Sequence, residues 1–144
     1  MRDWKLYEDL EKILVTKEEM DAKILEIGAR ITADYQGKEP VLICVLKGAT
    51  LFFSDLMRAI DLPLTVDFMA TSSYGSATKT SGVVRVLKDL DQDIVGKDVL
   101  IVEDIVDSGV TLNYLRSMLK HRGAASIRIA TLLDKPARRK VPDL

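Results

Sequence analysis

The chain has 144 residues, 47% of them hydrophobic and 30% charged, which is enough apolar material for one packed domain. Lys plus Arg number 21 and Asp plus Glu 22, for a formal net charge of −1, so composition makes no electrostatic case for nucleic acid or an acidic membrane as the main partner. No apolar run approaches the roughly 18 residues of a membrane helix, the opening MRDWKLYEDLEK lacks a signal-peptide core, and the lone Cys44 forms neither an internal disulfide nor a metal cluster; a cytoplasmic protein is expected.

The first third reads as helical. Thr16, Lys17, Glu18 and Glu19 have the form of a capping box, in which a hydroxyl and a carboxylate each satisfy a free backbone N–H. Met20, Ile24, Ile27 and Ile31 then recur every three or four residues along one face, and Gly37 is a natural stop. Residues 41–46, VLICVL, are apolar at every position, which suits a strand covered on both faces. Cys44 lies inside that run and is expected to be a core thiol rather than a nucleophile. Lys47, Gly48, Ala49 and Thr50 form a turn, 51–60 reads as a helix closed by Pro63, and 64–70 as a second strand. Residues 71–82, rich in Ser, Thr and Gly and containing Tyr74, are the most loop-like stretch. A short strand at 83–87 precedes an acidic turn at 89–93.

Residues 99–102, VLIV, carry the strongest buried-strand pattern, ended by Glu103 and Asp104. The turn 107–111, DSGVT, feeds a helix with Leu112, Leu115, Met118 and Leu119 on its apolar face. His121, Arg122 and Gly123 close that helix, with cations near its negative end. A last strand is expected at 127–133. Alternating strands and helices predict an α/β fold, a mostly parallel sheet flanked by helices. Ligands in such sheets sit at the carboxyl ends of strands, so the loops after Leu46, Ala70 and Asp104 are the site candidates.

The segment 99–111, VLIVEDIVDSGVT, has the chemistry to hold a phosphorylated sugar. Glu103 and Asp104 are adjacent carboxylates where a buried strand emerges, able to accept from sugar hydroxyls or to help hold Mg²⁺. Free N–H groups at a helix start, the helix dipole, a glycine and two hydroxyls make 108–111 a phosphate cradle. Asp107, between acids and cradle, is placed to exchange a proton with a group bound above the sugar. Acids and Ser or Thr ahead of a helix are also common N-caps, so DSGVT alone is ambiguous; the paired acids after an apolar strand favour a site. Neither G-x-x-x-x-G-K-[ST] nor G-x-G-x-x-G occurs, which argues against a nucleoside triphosphatase or a dinucleotide enzyme.

VEDIVDSGVT resembles the phosphoribosyl pyrophosphate motif of the phosphoribosyltransferases, and the acid at Asp107 is similar to the form in the hypoxanthine–guanine branch. The likeness extends to 41–49, to Ser73-Tyr74-Gly75 and to Leu132-Leu133-Asp134-Lys135-Pro136, and so over most of residues 5–140. It implies a single type I phosphoribosyltransferase-like domain over 1–144 and a purine salvage activity: phosphoribose moves from phosphoribosyl pyrophosphate to hypoxanthine or guanine, giving IMP or GMP and pyrophosphate. By the same resemblance Glu103 and Asp104 would hold the ribose hydroxyls, directly or through Mg²⁺. Ser108, Gly109, Val110 and Thr111 would cradle the 5′-phosphate, and Asp107 would be general acid or base at the purine N7. Ile105 would pack against the base. Lys47 and Gly48 would form the pyrophosphate loop, with a strained peptide before the lysine. Ser73 and Tyr74 would tip a lid that excludes water. For Lys47 and Tyr74, an ordinary surface lysine and a surface aromatic are the alternatives. A homodimer or homotetramer is implied as well.

The resemblance also implies further site residues: a lysine for the 6-oxo group, an aromatic that stacks on the base, an acid near the base and metal, and a late arginine near the pyrophosphate. The lysine is expected around Leu144 and the others have no counterpart, so the base half of the site is expected to be missing. That leaves a second reading, a phosphoribosyl pyrophosphate-binding module with little or no transfer. A third, a nucleic-acid-binding regulator, rests on Lys135, Arg138, Arg139 and Lys140, which are expected to be a solvated tail.

Overall fold

The structure, a computed structural model, describes residues 14–73 and 84–141. Helix α1 spans Lys17–Asp34, and the Thr16 hydroxyl caps it by accepting from the Glu19 N–H at 3.1 Å. Only the hydroxyl half of the expected capping box forms; the Glu19 carboxylate instead accepts from the Thr16 hydroxyl at 3.2 Å. Ile24 and Ile31 are buried and Ile27 packs beside them, as the spacing predicts. The remaining elements are β1 (Val41–Leu46), α2 (Thr50–Arg58), β2 (Thr65–Ser73), β3 (Val84–Lys88), β4 (Asp98–Val106), α3 (Val110–His121) and β5 (Ser126–Asp134).

The strands form one five-stranded sheet in the order β3-β2-β1-β4-β5. The β1–β2, β1–β4 and β4–β5 pairs are parallel, and β3 joins β2 antiparallel. Alternation along β1 sends its side chains into two cores. Leu42 and Cys44 meet α1 and α2 through Ile24, Phe52, Phe53 and Leu56. Val41, Ile43 and Val45 meet α3 through Leu112, Leu115 and Leu119. The all-apolar reading of β1 thus has its physical cause in a strand buried on both faces. Cys44 is fully buried, and burial pushes its thiol up to about 11, so it is a core group as expected.

Two strands run further than their apolar patterns. β2 continues to Ser73, where a loop is expected from Thr71, because Thr71, Ser72 and Ser73 pair with Val86, Arg85 and Val84. β4 continues through Glu103 and Asp104 to Val106, because β5 pairs with it as far as Val106↔Asp134. Polar side chains end a burial pattern without ending a hydrogen-bond ladder. Asp67 is 2% exposed and satisfied by backbone: it accepts from the N–H groups of Phe68 (2.8 Å), Asp91 (3.0 Å) and Gln92 (3.2 Å). One buried carboxylate therefore ties the acidic turn to the sheet.

Candidate active site

Strand pairing shapes the site. β1 stays beside β4 only to Cys44↔Val102, whereas β5 stays beside it to Val106. From Glu103 onward, β4 has a partner on one side and a cleft of about 290 Å³ on the other. Leu46, Thr71, Glu103, Asp104, Asp107 and Ser108 are among its walls, so the chain at the three expected positions, after Leu46, Ala70 and at Asp104, does converge, with Thr71 and Asp104 still in strands. Ile105, Gly109 and Thr111 also line it.

Glu103 and Asp104 share this mouth. The Glu103 carboxylate accepts from the Asp104 N–H at 3.1 Å, and that of Asp104 from the Ile105 N–H at 2.9 Å. Burial and the adjacent Asp104 push the Glu103 carboxyl up to about 8. A half-buried acid held next to a second acid is a locus short of positive charge. Among the described residues no group of three or more His, Cys, Asp and Glu could cage a metal. Two carboxylates that leave the rest of the shell to substrate and water are the donor set Mg²⁺ accepts, so the residues fit that ion.

Across the cleft, the Leu46–Lys47 peptide is cis, at the step before the lysine that the resemblance singles out. The Lys47 carbonyl accepts from the Thr50 hydroxyl at 2.6 Å, which anchors the turn, and the Lys47 side chain is exposed. Gly48 faces Asp104 so closely that a Cβ there would lie 3.2 Å from its Oδ2. The glycine gives the carboxylate its room.

At the far end, Gly109 takes a left-handed φ of 82° and α3 starts at Val110 with no side-chain cap. The Val110 N–H reaches only the Ser108 hydroxyl, at 3.4 Å. The first turn of α3 therefore offers backbone N–H groups to the cleft, the arrangement that binds phosphate. Ser73 ends β2, and Tyr74 lies outside the described residues.

The expected solvated tail does expose Lys135, Arg138 and Lys140, but its backbone and Arg139 are tied down as a strap. The Lys135 N–H donates to the Val106 carbonyl (2.9 Å) and the Lys140 N–H to that of Ser108 (2.8 Å). Arg139 donates from Nε to the Asp107 carbonyl at 3.3 Å and pairs with the Asp134 carboxylate, while Arg138 Nε lies 3.3 Å from Asp107 Oδ1. Charge composition alone reads such a run as solvated. The signal for a strap is Pro136, which opens a 3-10 turn, Pro136–Arg138, directly after a strand parallel to β4.

Comparison with known proteins agrees with this geometry. The phosphoribosyl transferase domain model matches residues 12–144. The hypoxanthine-guanine phosphoribosyltransferase of Bacillus subtilis is 52% identical over 132 residues, which are 92% of this chain and 73% of that protein. The bifunctional protein TilS/HprT of Listeria innocua is 49% identical over 136 residues, which are 94% of this chain; the chain spans about a fifth (21%) of that protein's length. A crystal structure of a hypoxanthine phosphoribosyltransferase from Staphylococcus aureus superposes with a TM-score of 0.96 at 43% identity, covering 100% of this chain and 78% of that one. A cleft at the end of β4 that joins paired acids, a third acid and an open helix start thus coincides with close kinship, and the chain belongs to the phosphoribosyltransferase family, in its hypoxanthine–guanine branch.

Proposed function

We propose that this cleft transfers phosphoribose from phosphoribosyl pyrophosphate to hypoxanthine or guanine, giving IMP or GMP and pyrophosphate. The observation that carries the reading is the order of groups along one strand end. Glu103 and Asp104 come first, then Asp107, then the left-handed Gly109 and the uncapped start of α3, with Gly48 opposite. The spacing suits one extended ligand with hydroxyls at one end and a phosphate at the other.

In this reading Glu103 and Asp104 accept from the ribose hydroxyls or hold Mg²⁺. Ser108, Gly109, Val110 and Thr111 surround the 5′-phosphate. Lys47 and Gly48 meet the pyrophosphate, and Ile105 packs against the base. Mg²⁺, when bound, neutralises charge on the departing pyrophosphate. As the bond from C1′ to pyrophosphate breaks and N9 of the purine bonds to C1′, the Asp107 carboxylate takes the proton from N7. The 6-oxo group needs a donor, and we assign that role to Lys135 rather than to a position near Leu144. Its backbone is pinned to Val106, the residue before Asp107. One domain over residues 1–144 belongs to the same proposal, as do work in the cytoplasm and a homodimeric or homotetrameric assembly. Among the described residues no helix is long and apolar enough to cross a membrane.

The test is chromatographic. The chain, the donor, Mg²⁺ and hypoxanthine or guanine should yield the matching nucleoside monophosphate. Absence of product, with donor binding intact in a parallel calorimetric titration, would leave a donor-binding module.

A further inference from the structure

The strap holds the Asp107 loop in two separable ways. Its backbone and Arg139 grip main chain: Lys135 N–H to Val106, Lys140 N–H to Ser108, and Arg139 Nε to the Asp107 carbonyl. Arg139 is itself fixed by the Asp134 carboxylate, and its side chain is 21% exposed. Arg138 makes none of these contacts. Its Nε lies 3.3 Å from Asp107 Oδ1, with the two side chains 66% and 50% exposed. A pair so open to water adds little to stability. Its consequence is geometric, because a guanidinium placed beside Oδ1 biases the orientation of a carboxylate that otherwise rotates about its last side-chain bond.

We propose that Arg138 is a positioning residue: it orients the Asp107 carboxylate so that the second oxygen is presented to the proton on the purine. The inference rests on the reading of Asp107 as the group acting at N7. A residue that only braced the loop would do so through main chain, which Arg139 and Lys140 already hold. A residue that only attracted the donor would act on donor affinity and would be indifferent to the state of residue 107.

Three measurements on the full chain decide it. In a proton–nitrogen spectrum, the Arg138 Nε–H resonance should stand apart from those of free guanidinium groups and move to their position in Asp107→Asn. A free position in the wild type overturns the pairing. In steady-state transfer to hypoxanthine, Arg138→Ala should lower kcat by roughly ten- to a hundredfold, the cost of a misplaced reacting group. The donor KM and melting temperature should hold, and Arg138→Lys should recover part of the loss. An unchanged kcat, or a loss confined to donor KM, overturns the proposal. In an Asp107→Asn background, Arg138→Ala should have no further effect, since the two act as one unit; a full additional loss overturns it too. Absence of turnover in the wild type sinks the transferase reading and this proposal with it. An Arg138 resonance that still responds to residue 107 would separate that failure from a failure of the pairing.

Discussion

Single residues carry the chemistry, and their partners decide what each can do. Gly48 matters for the carboxylate beside it. A methyl group there would sit 3.2 Å from Asp104 Oδ2 and turn that carboxylate away. Gly48→Ala should weaken donor binding about tenfold or more, the equivalent of one lost hydrogen bond to a charged group, with an unchanged melting temperature. Titration calorimetry with Mg²⁺ checks this, and full affinity would remove Asp104 from the donor site. Glu103 sets a pH dependence. Its carboxyl is raised from 4.5 to about 8 by burial and by Asp104, so the folded protein binds that proton more tightly than the unfolded chain. The resulting stability is complete below about 4.5 and is lost as pH rises through about 8. Urea midpoints of the metal-free protein should therefore fall across that interval, and Glu103→Gln should flatten the slope. An equal slope in the variant would mean another group titrates. That Glu103, Asp104, Asp107 and Gly109 gather at one cleft was legible in the sequence because the pattern is local: acids and a glycine between a buried strand and a helix. Asp67 was not, because its hydrogen-bond partners Asp91 and Gln92 are distant in sequence.

Among the elements, helix α1 meets α2 at Gly28. A Cβ there would lie 2.5 Å from the Ala59 carbonyl oxygen and 2.6 Å from its Cβ, so the helices touch through the missing side chain. Gly28→Ala should destabilise by about 1–3 kcal/mol through overpacking, despite the better helix propensity of alanine. A urea midpoint at or above that of the wild type would contradict the close approach. Arg122, beyond the end of α3, holds Asp89 with its two terminal guanidinium nitrogens, each at 2.6 Å from one carboxylate oxygen, and keeps that carboxyl below its ordinary range. The pair is exposed enough that Arg122→Ala should cost no more than about 1 kcal/mol by the same urea measurement. Apolar periodicity located every described α-helix and strand, but not the 3-10 turn Pro136–Arg138. It misjudged the ends of β2 and β4, since a strand's ladder runs past its last buried residue. It also missed the strap, whose attachment to Val106 and Ser108 runs through main-chain N–H groups that no side-chain pattern reveals.

In the whole molecule, one sheet serves two cores, so neither core can open without exposing the other's strands. Both should melt in a single cooperative transition, with circular dichroism and intrinsic fluorescence giving coincident curves. Separate transitions would break the single-domain proposal. The site arises from the same architecture: β1 stops early, β4 runs on beside β5, and the gap between them gathers the acids and the open helix start. Alternation of elements in the sequence was enough to place a cleft at these strand ends. Which strand outran which was not legible, because register is settled by pairing across the sheet. The decisive measurement is the ultraviolet rate of nucleotide formation from phosphoribosyl pyrophosphate and hypoxanthine with Mg²⁺, for the wild type and Asp107→Asn side by side. Turnover in the wild type, reduced by roughly 10²–10⁴ in the variant with donor affinity intact, is the expected result. Equal rates in the two proteins, or none in the wild type, would contradict the assignment of this cleft as the transferase centre.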